Sequence, residues 1–130
     1  VALADKDPAV RYWAATGVGN IGKQARHVAD TIQEILKKDS STVVRVAAAR
    51  ALLRMKRNER AALAELGKTL ESPEQWSRLH AAIALDEADE QARPAIAALK
   101  KALKNQPNKY ITRVANKALN DLLGTENKVK

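Results

Sequence analysis

Apolar positions along this 130-residue chain recur in a pattern that repeats about every 34 residues. One column of the repeat contains only alanine, at steps of 34, 33 and 34 residues: Ala14, Ala48, Ala81 and Ala115. Two further columns are small or aliphatic: Gly17, Ala51, Ala84 and Ala118, and Val18, Leu52, Leu85 and Leu119. Within each segment the apolar spacing of three, four and seven residues indicates one face of an α-helix. The intervening segments repeat in the same way, so the pattern predicts repeats of two helices each.

The predicted helices follow from these columns and from the residues that precede them. We expect the Ala-rich helices to begin behind N-caps at Asp7, Ser41, Ser72 and Asn108. The second set is expected over residues 27–38, 59–71 and 91–104. Helix pairs that bury their apolar faces only against their neighbours form an α-solenoid. The sequence thus predicts an all-α fold, a right-handed α-solenoid of antiparallel helix pairs with about seven helices. It predicts one domain over residues 1–124, in units of about 1–38, 39–72, 73–107 and 108–124, and a polar tail over 125–130.

The composition favours α-helices and excludes several kinds of chemistry. Hydrophobic residues make up 45% of the chain, alanine is abundant, and there is no phenylalanine or cysteine. Without cysteine the chain has neither disulfides nor thiolate chemistry. No apolar run approaches the roughly 18 residues of a membrane span, so no membrane association is expected. Because the chain opens with Val1 in the middle of a repeat, we interpret it as a fragment of a longer protein, and its compartment stays open.

The stretch Gly17-Val18-Gly19-Asn20-Ile21-Gly22 spells G-x-G-x-x-G, the dinucleotide-binding fingerprint. That fingerprint requires a β-strand before the first glycine, from which the chain turns sharply towards the pyrophosphate. Gly17 instead occupies the helix column of Ala51 and Ala84. The repeat therefore favours glycines within and at the end of a helix, and we expect no nucleotide cofactor.

An acidic residue stands six positions before an arginine in successive repeats, within D-x-x-x-x-V-R-x-x-A-A-x-x-L. This pattern resembles HEAT repeats, and the resemblance covers nearly all of residues 1–124. It implies a ladder of acidic and arginine side chains between successive repeats, here formed by Asp5, Arg11, Asp39, Arg45 and Arg78. Ser72 and Gln106 replace the acid later in the chain, and Thr112 replaces the arginine. We therefore expect the ladder to weaken towards the C-terminus.

A narrower resemblance concerns the combination DPAVRYWAATG, SRLHAAIALDEAD and YITRVANKALNDLLG. It is similar to the HEAT-like C-terminal segment of certain bacterial sulfatases, in which a separate N-terminal domain carries the catalytic residues. The cysteine-containing motif of those catalytic domains is absent from this sequence, so no active-site residue transfers. The resemblance implies an accessory module of a bacterial protein, either cytoplasmic or, as part of a sulfatase, periplasmic or secreted.

Candidate catalytic and metal-binding groups do not converge in the sequence. His27 and His80 are the only histidines, and neither has a partner at metal-ligand spacing. A cluster of four carboxylates is expected on an inter-helix loop, where solvation and the dipole of the following helix explain it better than a cation: Asp86, Glu87, Asp89 and Glu90. A basic loop could contact phosphate or sulfate, although a solvated loop explains it better: Arg54, Lys56, Arg57 and Arg60. We therefore expect no metal, no cofactor and no catalysis by this chain.

One feature of the Ala-rich helices departs from a solvated outer face. Positions on the side opposite the predicted core should be polar, yet they form an apolar stripe. On the expected concave surface this stripe predicts partner contact through Tyr12, Val46, Leu79, Ile83, Trp76 and Tyr110, with Arg50 and Arg113 beside them. The alternative is that curvature of the stack buries part of the stripe.

These residues point to three candidate functions. The first is a protein-interaction or scaffold module that binds a partner protein or an upstream domain of its own chain. The second is an anion-binding solenoid for DNA, RNA or a sulfated polysaccharide, suggested by the formal net charge of +8. The third, an enzyme, lacks convergent catalytic groups. The sequence favours the first function.

Overall fold

A computed structural model describes residues 2–104 and 107–129 of the chain. The α-helices are α1 (Pro8–Ile21), α2 (Ala29–Lys38), α3 (Thr42–Met55), α4 (Glu59–Thr69), α5 (Gln75–Ala88), α6 (Ile96–Ala102) and α7 (Lys109–Leu123). Three 3₁₀ helices cover Ala2–Ala4, Gly22–Val28 and Asp89–Ala95. These residues contain no β-strand, which confirms the all-α class. Gln106, which is predicted to replace the acidic residue of the ladder, lies outside the described residues.

The chain divides into two compact units, Val1–Glu65 and Leu66–Lys130. The first contains α1, α2 and α3, and the second contains α5, α6 and α7. The boundary falls within α4. In each unit two Ala-rich helices pack together, and a helix of the second set packs against the later one of the two.

In the first unit α1 and α3 run side by side in the same direction. Near their ends Arg50 Nη2 donates to Asn20 Oδ1 at 2.9 Å, and Arg54 Nε donates to the Gly19 carbonyl oxygen at 2.6 Å. The 3₁₀ helix Gly22–Val28 packs on both helices, and α2 packs on α3. The unit's core comprises Ala15, Ile32, Leu36, Val44, Ala48, Leu52 and Met55.

In the second unit α5 and α7 also run side by side in the same direction. Asn108 Nδ2 donates to Gln75 Oε1 at 3.1 Å where the helices begin, and Lys117 Nζ lies 3.1 Å from Asp86 Oδ1 further along. Helix α6 packs on α7. Buried apolar side chains fill the space between them: Ala81, Ala84, Leu85, Leu99, Ile111, Ala115 and Leu119.

The helix starts agree with the sequence at some positions and not at others. The Asp7 carboxylate accepts from the Ala9 amide at 2.9 Å, and the Asn108 side chain accepts from the Tyr110 amide at 2.9 Å. The predicted cap at Ser72 is wrong, because α5 begins at Gln75 behind Glu74. The Ser72 hydroxyl instead accepts from the Glu74 amide at 3.2 Å, which holds a turn ahead of the helix.

Two helices of the second set, α2 and α6, are shorter than predicted because 3₁₀ segments replace their first turns, whereas α4 begins at Glu59 as predicted. Helix α2 begins at Ala29 and α6 at Ile96. Pro94 lies inside the segment before α6. Proline has no backbone N–H to join an α-helical hydrogen-bond ladder, and short 3₁₀ runs are common at helix N-termini.

The face of α1 that meets the rest of the unit differs from the predicted one. The columns predict a core face of Val10, Ala14, Gly17, Val18 and Ile21, but the buried positions of α1 are Ala15 and Gly19. The reason is that α3 packs on the Gly19 side, where a Cβ atom would lie 3.4 Å from the Ala51 Cα atom. Gly17 lies within α1, and Gly22 ends the helix with φ +72°. The described residues before Gly17 contain no strand, so the strand that the dinucleotide fingerprint requires is missing there.

Candidate functional site

An exposed apolar and aromatic surface lies on α5 and α7 of the second unit. It consists of Trp76, Leu79 and Ile83 from α5 with Tyr110 and Arg113 from α7, and is called here the α5–α7 surface. Trp76 is 60% exposed, Tyr110 58% and Ile83 46%, and Leu79 is half-buried. Monomeric soluble proteins rarely expose large contiguous apolar patches, and those that occur often mark contact surfaces.

The helix period explains why these side chains share one face of each helix. Trp76 and Ile83 are seven residues apart, or nearly two turns, and therefore point the same way. The buried residues of α5 occupy its other side: Ser77, Ala81, Ala82, Ala84 and Leu85. On α7, Tyr110 and Arg113 are likewise exposed, whereas Ile111, Ala115 and Ala118 are buried. Since α5 and α7 pack together in the same direction, positions 34 residues apart lie at matching heights, Trp76 with Tyr110 and Leu79 with Arg113.

Charges at this surface are held by local partners. The Arg113 guanidinium carbon lies 5.9 Å from the centroid of the Tyr110 ring, a cation–π distance. Lys117 Nζ lies 3.1 Å from oxygens of both Asp86 and Asp121. The hydrogen bonds that Lys117 donates to these two carboxylates raise the pKa of Lys117, with Asp86 the larger contributor. The ion pairs of Lys117 therefore lie beyond the aromatic and aliphatic residues of the α5–α7 surface, further along the two helices.

The predicted stripe residues of the first unit do not form a comparable surface. Val46 is only 3% exposed, so the expectation that it faces solvent is wrong. Helix α3 has nine buried residues distributed around its circumference, with α1 and α2 packed on it. Tyr12 is half-buried with its ring 5.2 Å from that of Trp13 in an edge-on arrangement. Arg50 donates to the Thr16 carbonyl oxygen at 3.4 Å and to Asn20, so its guanidinium is committed to α1.

The ladder residues form a carbonyl-binding series as well as an ion pair. Arg11 donates to both carboxylate oxygens of Asp39, at 2.8 and 3.0 Å. Its Nη1 also donates to the carbonyl oxygen of Asp5, six residues upstream, at 2.9 Å. Arg45 repeats this bond to the Asp39 carbonyl oxygen at 2.6 Å, and Arg78 to that of Ser72 at 2.7 Å. The feature shared by all three arginines is thus the backbone bond, which the sequence reasoning missed because carbonyls leave no mark in a sequence.

Electrostatics at Asp39 favour its ionised form. Burial alone would raise the pKa of Asp39, but hydrogen bonds from Arg11 and from the Ser41 amide outweigh burial and lower it. The same contact raises the pKa of Arg11. Arg45 pairs with Glu65 at 2.6 Å, a partner outside the predicted acid–arginine spacing. No column of the repeat marks Glu65, so the spacing pattern alone could not have found it.

The remaining candidate groups are dispersed over the structure. His27 is exposed in the 3₁₀ helix Gly22–Val28, and His80 is half-buried on α5. The predicted acidic loop is divided, with two members in α5 and two in the following 3₁₀ helix, where Glu90 pairs with Arg93 at 2.7 Å. Within residues 2–104 and 107–129 no group of three histidine or acidic side chains is placed to hold a metal ion.

Comparison with known families adds to this geometry. A family model described as HEAT repeats matches residues 1–53 and 28–120. The chain belongs to the HEAT repeat family. HEAT repeats are generally protein-interaction scaffolds and generally non-enzymatic. A search of curated proteins returned no match for this HEAT repeat chain. In the part of the chain that the structure describes, each helix is too short or too polar to cross a membrane.

Proposed function

We propose that this HEAT repeat chain is a non-catalytic protein-interaction module that binds its partner through the α5–α7 surface. The observation that carries the proposal is the pair of exposed aromatic side chains, Trp76 and Tyr110, at matching heights on two packed helices. Tyrosine, tryptophan and arginine are the residues most often found as interface hot spots. All three occur here within one surface.

The composition of the surface favours a protein partner with an apolar contact region. Trp76 and Tyr110 supply large apolar areas with few rotatable bonds to immobilise, which lowers the entropic cost of binding. Arg113 and Lys117 form a polar margin, as at the rim of protein interfaces. We expect Tyr12 and Arg50 of the first unit to contribute little, since Tyr12 is half-buried and Arg50 is bound to α1.

The likeness to sulfatase C-terminal segments suggests one partner, an upstream domain of the same chain. The alternative partner is a separate protein with a surface complementary to the α5–α7 surface. We also propose that the antiparallel helix pairs stack into a right-handed solenoid, as the sequence predicts.

Site-specific cross-linking tests the surface directly, because a photoreactive side chain captures whichever protein binds beside it. A photoreactive phenylalanine analogue is placed at Trp76 or at Tyr110, and at exposed Lys37 on α2 as a matched control. We expect one protein to be captured at positions 76 and 110 and not at 37. Trp76→Ala should then weaken binding of that purified protein at least tenfold while helicity by circular dichroism is unchanged. Equal capture from all three positions, or unchanged affinity, would contradict the proposal.

The anion-binding alternative requires free cations, and it is tested separately. A labelled DNA duplex and a sulfated oligosaccharide are titrated with the chain, and fluorescence anisotropy is measured at low and near-physiological salt. Backbone binding through lysine and arginine would fall steeply with salt. We expect weak binding at most, because Arg50 and Lys117 are held by their own neighbours. Binding that survives at physiological salt and is insensitive to Trp76→Ala would favour the alternative.

A further inference from the structure

The two ends of the α5–α7 surface differ in charge. At the end where the helices begin, Lys109 and Arg113 of α7 are both exposed. Within residues 2–104 and 107–129 neither side chain forms an ion pair. The Tyr110 ring beside Arg113 is uncharged, so its contact leaves the guanidinium charge uncompensated. This end of the surface therefore has two positive charges available to a partner.

The other end of the surface is negative. Lys117 Nζ lies 3.1 Å from both Asp86 Oδ1 and Asp121 Oδ2, so one positive side chain faces two carboxylates. These three side chains together have a net charge of −1, from one positive and two negative groups. A carboxylate of a partner would be repelled here, whereas it would be attracted at the helix starts.

The direction of the two helices reinforces this difference. Helices α5 and α7 begin at the same end, where Asn108 Nδ2 donates to Gln75 Oε1 at 3.1 Å. The N-terminus of a helix is partially positive and its C-terminus partially negative. Because the helices are parallel, both positive ends lie on the side of Trp76 and Tyr110, and their effects add to that of the two cations.

The apolar side chains between the charged ends determine where a partner side chain can be buried. Leu79 and Ile83 follow Trp76 by three and seven residues, the spacing of one helix face. Ten residues separate Trp76 from Asp86, which corresponds to about 15 Å along α5. About ten residues of a helix or five of an extended chain cover that distance. The surface therefore matches a short polypeptide segment.

A long polyanion matches the same surface poorly. Aromatic side chains with nearby cations also occur in proteins that bind single-stranded nucleic acids, where cations follow the backbone along the whole groove. Here the cations are confined to one end, and a continuing row of phosphates would meet Asp86 and Asp121 at the other. A peptide avoids this repulsion, since its acidic residues can be confined to one end.

We propose that the α5–α7 surface recognises a short segment of a separate protein, in which an aromatic or aliphatic anchor residue is flanked by acidic residues on one side only. The anchor packs on Trp76, Leu79 and Tyr110, and the acidic residues bind Lys109 and Arg113. This inference rests on the proposed function and specifies its partner. Complementary charges accelerate the encounter of separate molecules, whereas a tethered segment already has a high effective concentration. The exposed cations therefore favour a separate protein.

Selection from a random peptide library displayed on phage tests the charge pattern. The 130-residue chain is the target, and the Trp76→Ala variant removes the peptides that bind elsewhere. We expect the selected peptides to share an aromatic or aliphatic residue with acidic residues on one side of it and none on the other.

Charge reversal then identifies the groups that read the acidic residues. Lys109→Glu combined with Arg113→Glu should weaken binding of a selected synthetic peptide at least tenfold, chiefly through slower association, with helicity by circular dichroism unchanged. The matched control is Lys100→Glu combined with Lys104→Glu, which changes the net charge equally at two exposed positions in and after α6. We expect the control to alter the affinity less than threefold.

The outcomes separate this inference from the proposed function. Selected peptides that depend on Trp76 but lack the one-sided acidic pattern would overturn the inference and leave the proposed function standing. So would an affinity that the reversal of Lys109 and Arg113 leaves unchanged. Absence of any Trp76-dependent peptide would contradict both. A single-stranded oligonucleotide that depends on Trp76 and binds more tightly than the selected peptides would assign the surface to nucleic acid and overturn the inference.

Discussion

The two units use the same pair of repeat positions in different ways to join their parallel helices. Arg50 on α3 and Lys117 on α7 occupy one column, and each reaches back to the preceding Ala-rich helix. In the first unit the facing column contains Gly19, and a Cβ there would lie only 2.7 Å from Arg50 Nη1 and 3.4 Å from the Ala51 Cα atom. In the second unit the same column contains Asp86, which receives Lys117.

The difference shows that one repeat framework can join helices by close packing or by an exposed ion pair. Close packing excludes water and transmits any added volume directly into the backbone. An exposed ion pair tolerates change because solvent screens it and the side chains can move. We therefore expect the α1–α3 contact to be sensitive to mutation and the α5–α7 contact to be permissive.

The strongest test of this comparison is a bulky side chain at Gly19. Gly19→Leu should destabilise the chain by about 2–3 kcal/mol, because its side chain would force α1 away from α3. Chemical denaturation followed by circular dichroism measures the change. Gly17→Leu is the matched control on the same helix, since nothing lies within 4 Å of a Cβ at that position. Equal losses in the free energy of unfolding for the two variants would contradict the conclusion that close packing at Gly19 makes the α1–α3 contact sensitive to mutation.

Removal of the ladder carboxylate should have the next largest effect. Asp39→Ala removes the two hydrogen bonds from Arg11 and the one from the Ser41 amide. We expect a loss of about 1–2 kcal/mol in the free energy of unfolding, in the range for charge-assisted hydrogen bonds. Asp39→Asn should keep part of the bond to Ser41 and lose less. Two variants as stable as the native chain would show that the ion pair contributes nothing net.

Acid should weaken the same contact without mutation. The folded pKa of Asp39 lies below its ordinary value, so the stabilisation is complete above the unfolded pKa of about 3.9 and is lost as the pH falls through the folded pKa. The free energy of unfolding should therefore decrease from about pH 4 downwards. The decrease should be smaller in Asp39→Asn. A pH profile that this substitution leaves unaltered would assign the acid sensitivity to other carboxylates, such as Glu34, whose pKa Lys38 lowers.

The smallest effect is expected for the ion pair of the second unit. Lys117 is largely exposed, with 64% of its side-chain surface accessible, so Asp86→Asn should cost about 0.5 kcal/mol or less. The cost should diminish further at high salt as the charges are screened. Unfolding midpoints measured at low and high salt check this. A loss as large as that of Asp39→Ala would remove the distinction between the two units.

The sequence predicted the elements of the fold better than the surfaces they expose. The column positions Ala48, Ala81 and Ala115 reveal the period because they are fully buried and helix packing permits only small residues there. A column identifies an apolar face but does not report whether a neighbour covers it. For this reason Val10 and Ile21 were expected in the core and are exposed, whereas Val46 was expected to face solvent and is buried.

The candidate site also shows which features the sequence reveals and which it does not. Trp76 and Tyr110 were selected as large apolar residues on a face that should be polar, and the structure leaves both exposed. The backbone carbonyls that bind Arg11, Arg45 and Arg78 could not be selected, since every residue has one. The 3₁₀ segment before α6 had a visible signal in Pro94, but the one before α2 had none of comparable strength.

Three arginines, Arg11, Arg45 and Arg78, each donate a hydrogen bond to the carbonyl oxygen six residues upstream. This bond fixes the length of the link into each Ala-rich helix. One inserted residue in that link would turn the following helix by about 100° and separate the guanidinium from its carbonyl. The one 33-residue step of the repeat keeps this spacing: Asp39 follows Leu36 by three positions, whereas Ser72 follows Leu70 by only two. The shorter repeat therefore loses its residue at the end of the second helix and keeps the six-residue spacing between the carbonyl and the arginine.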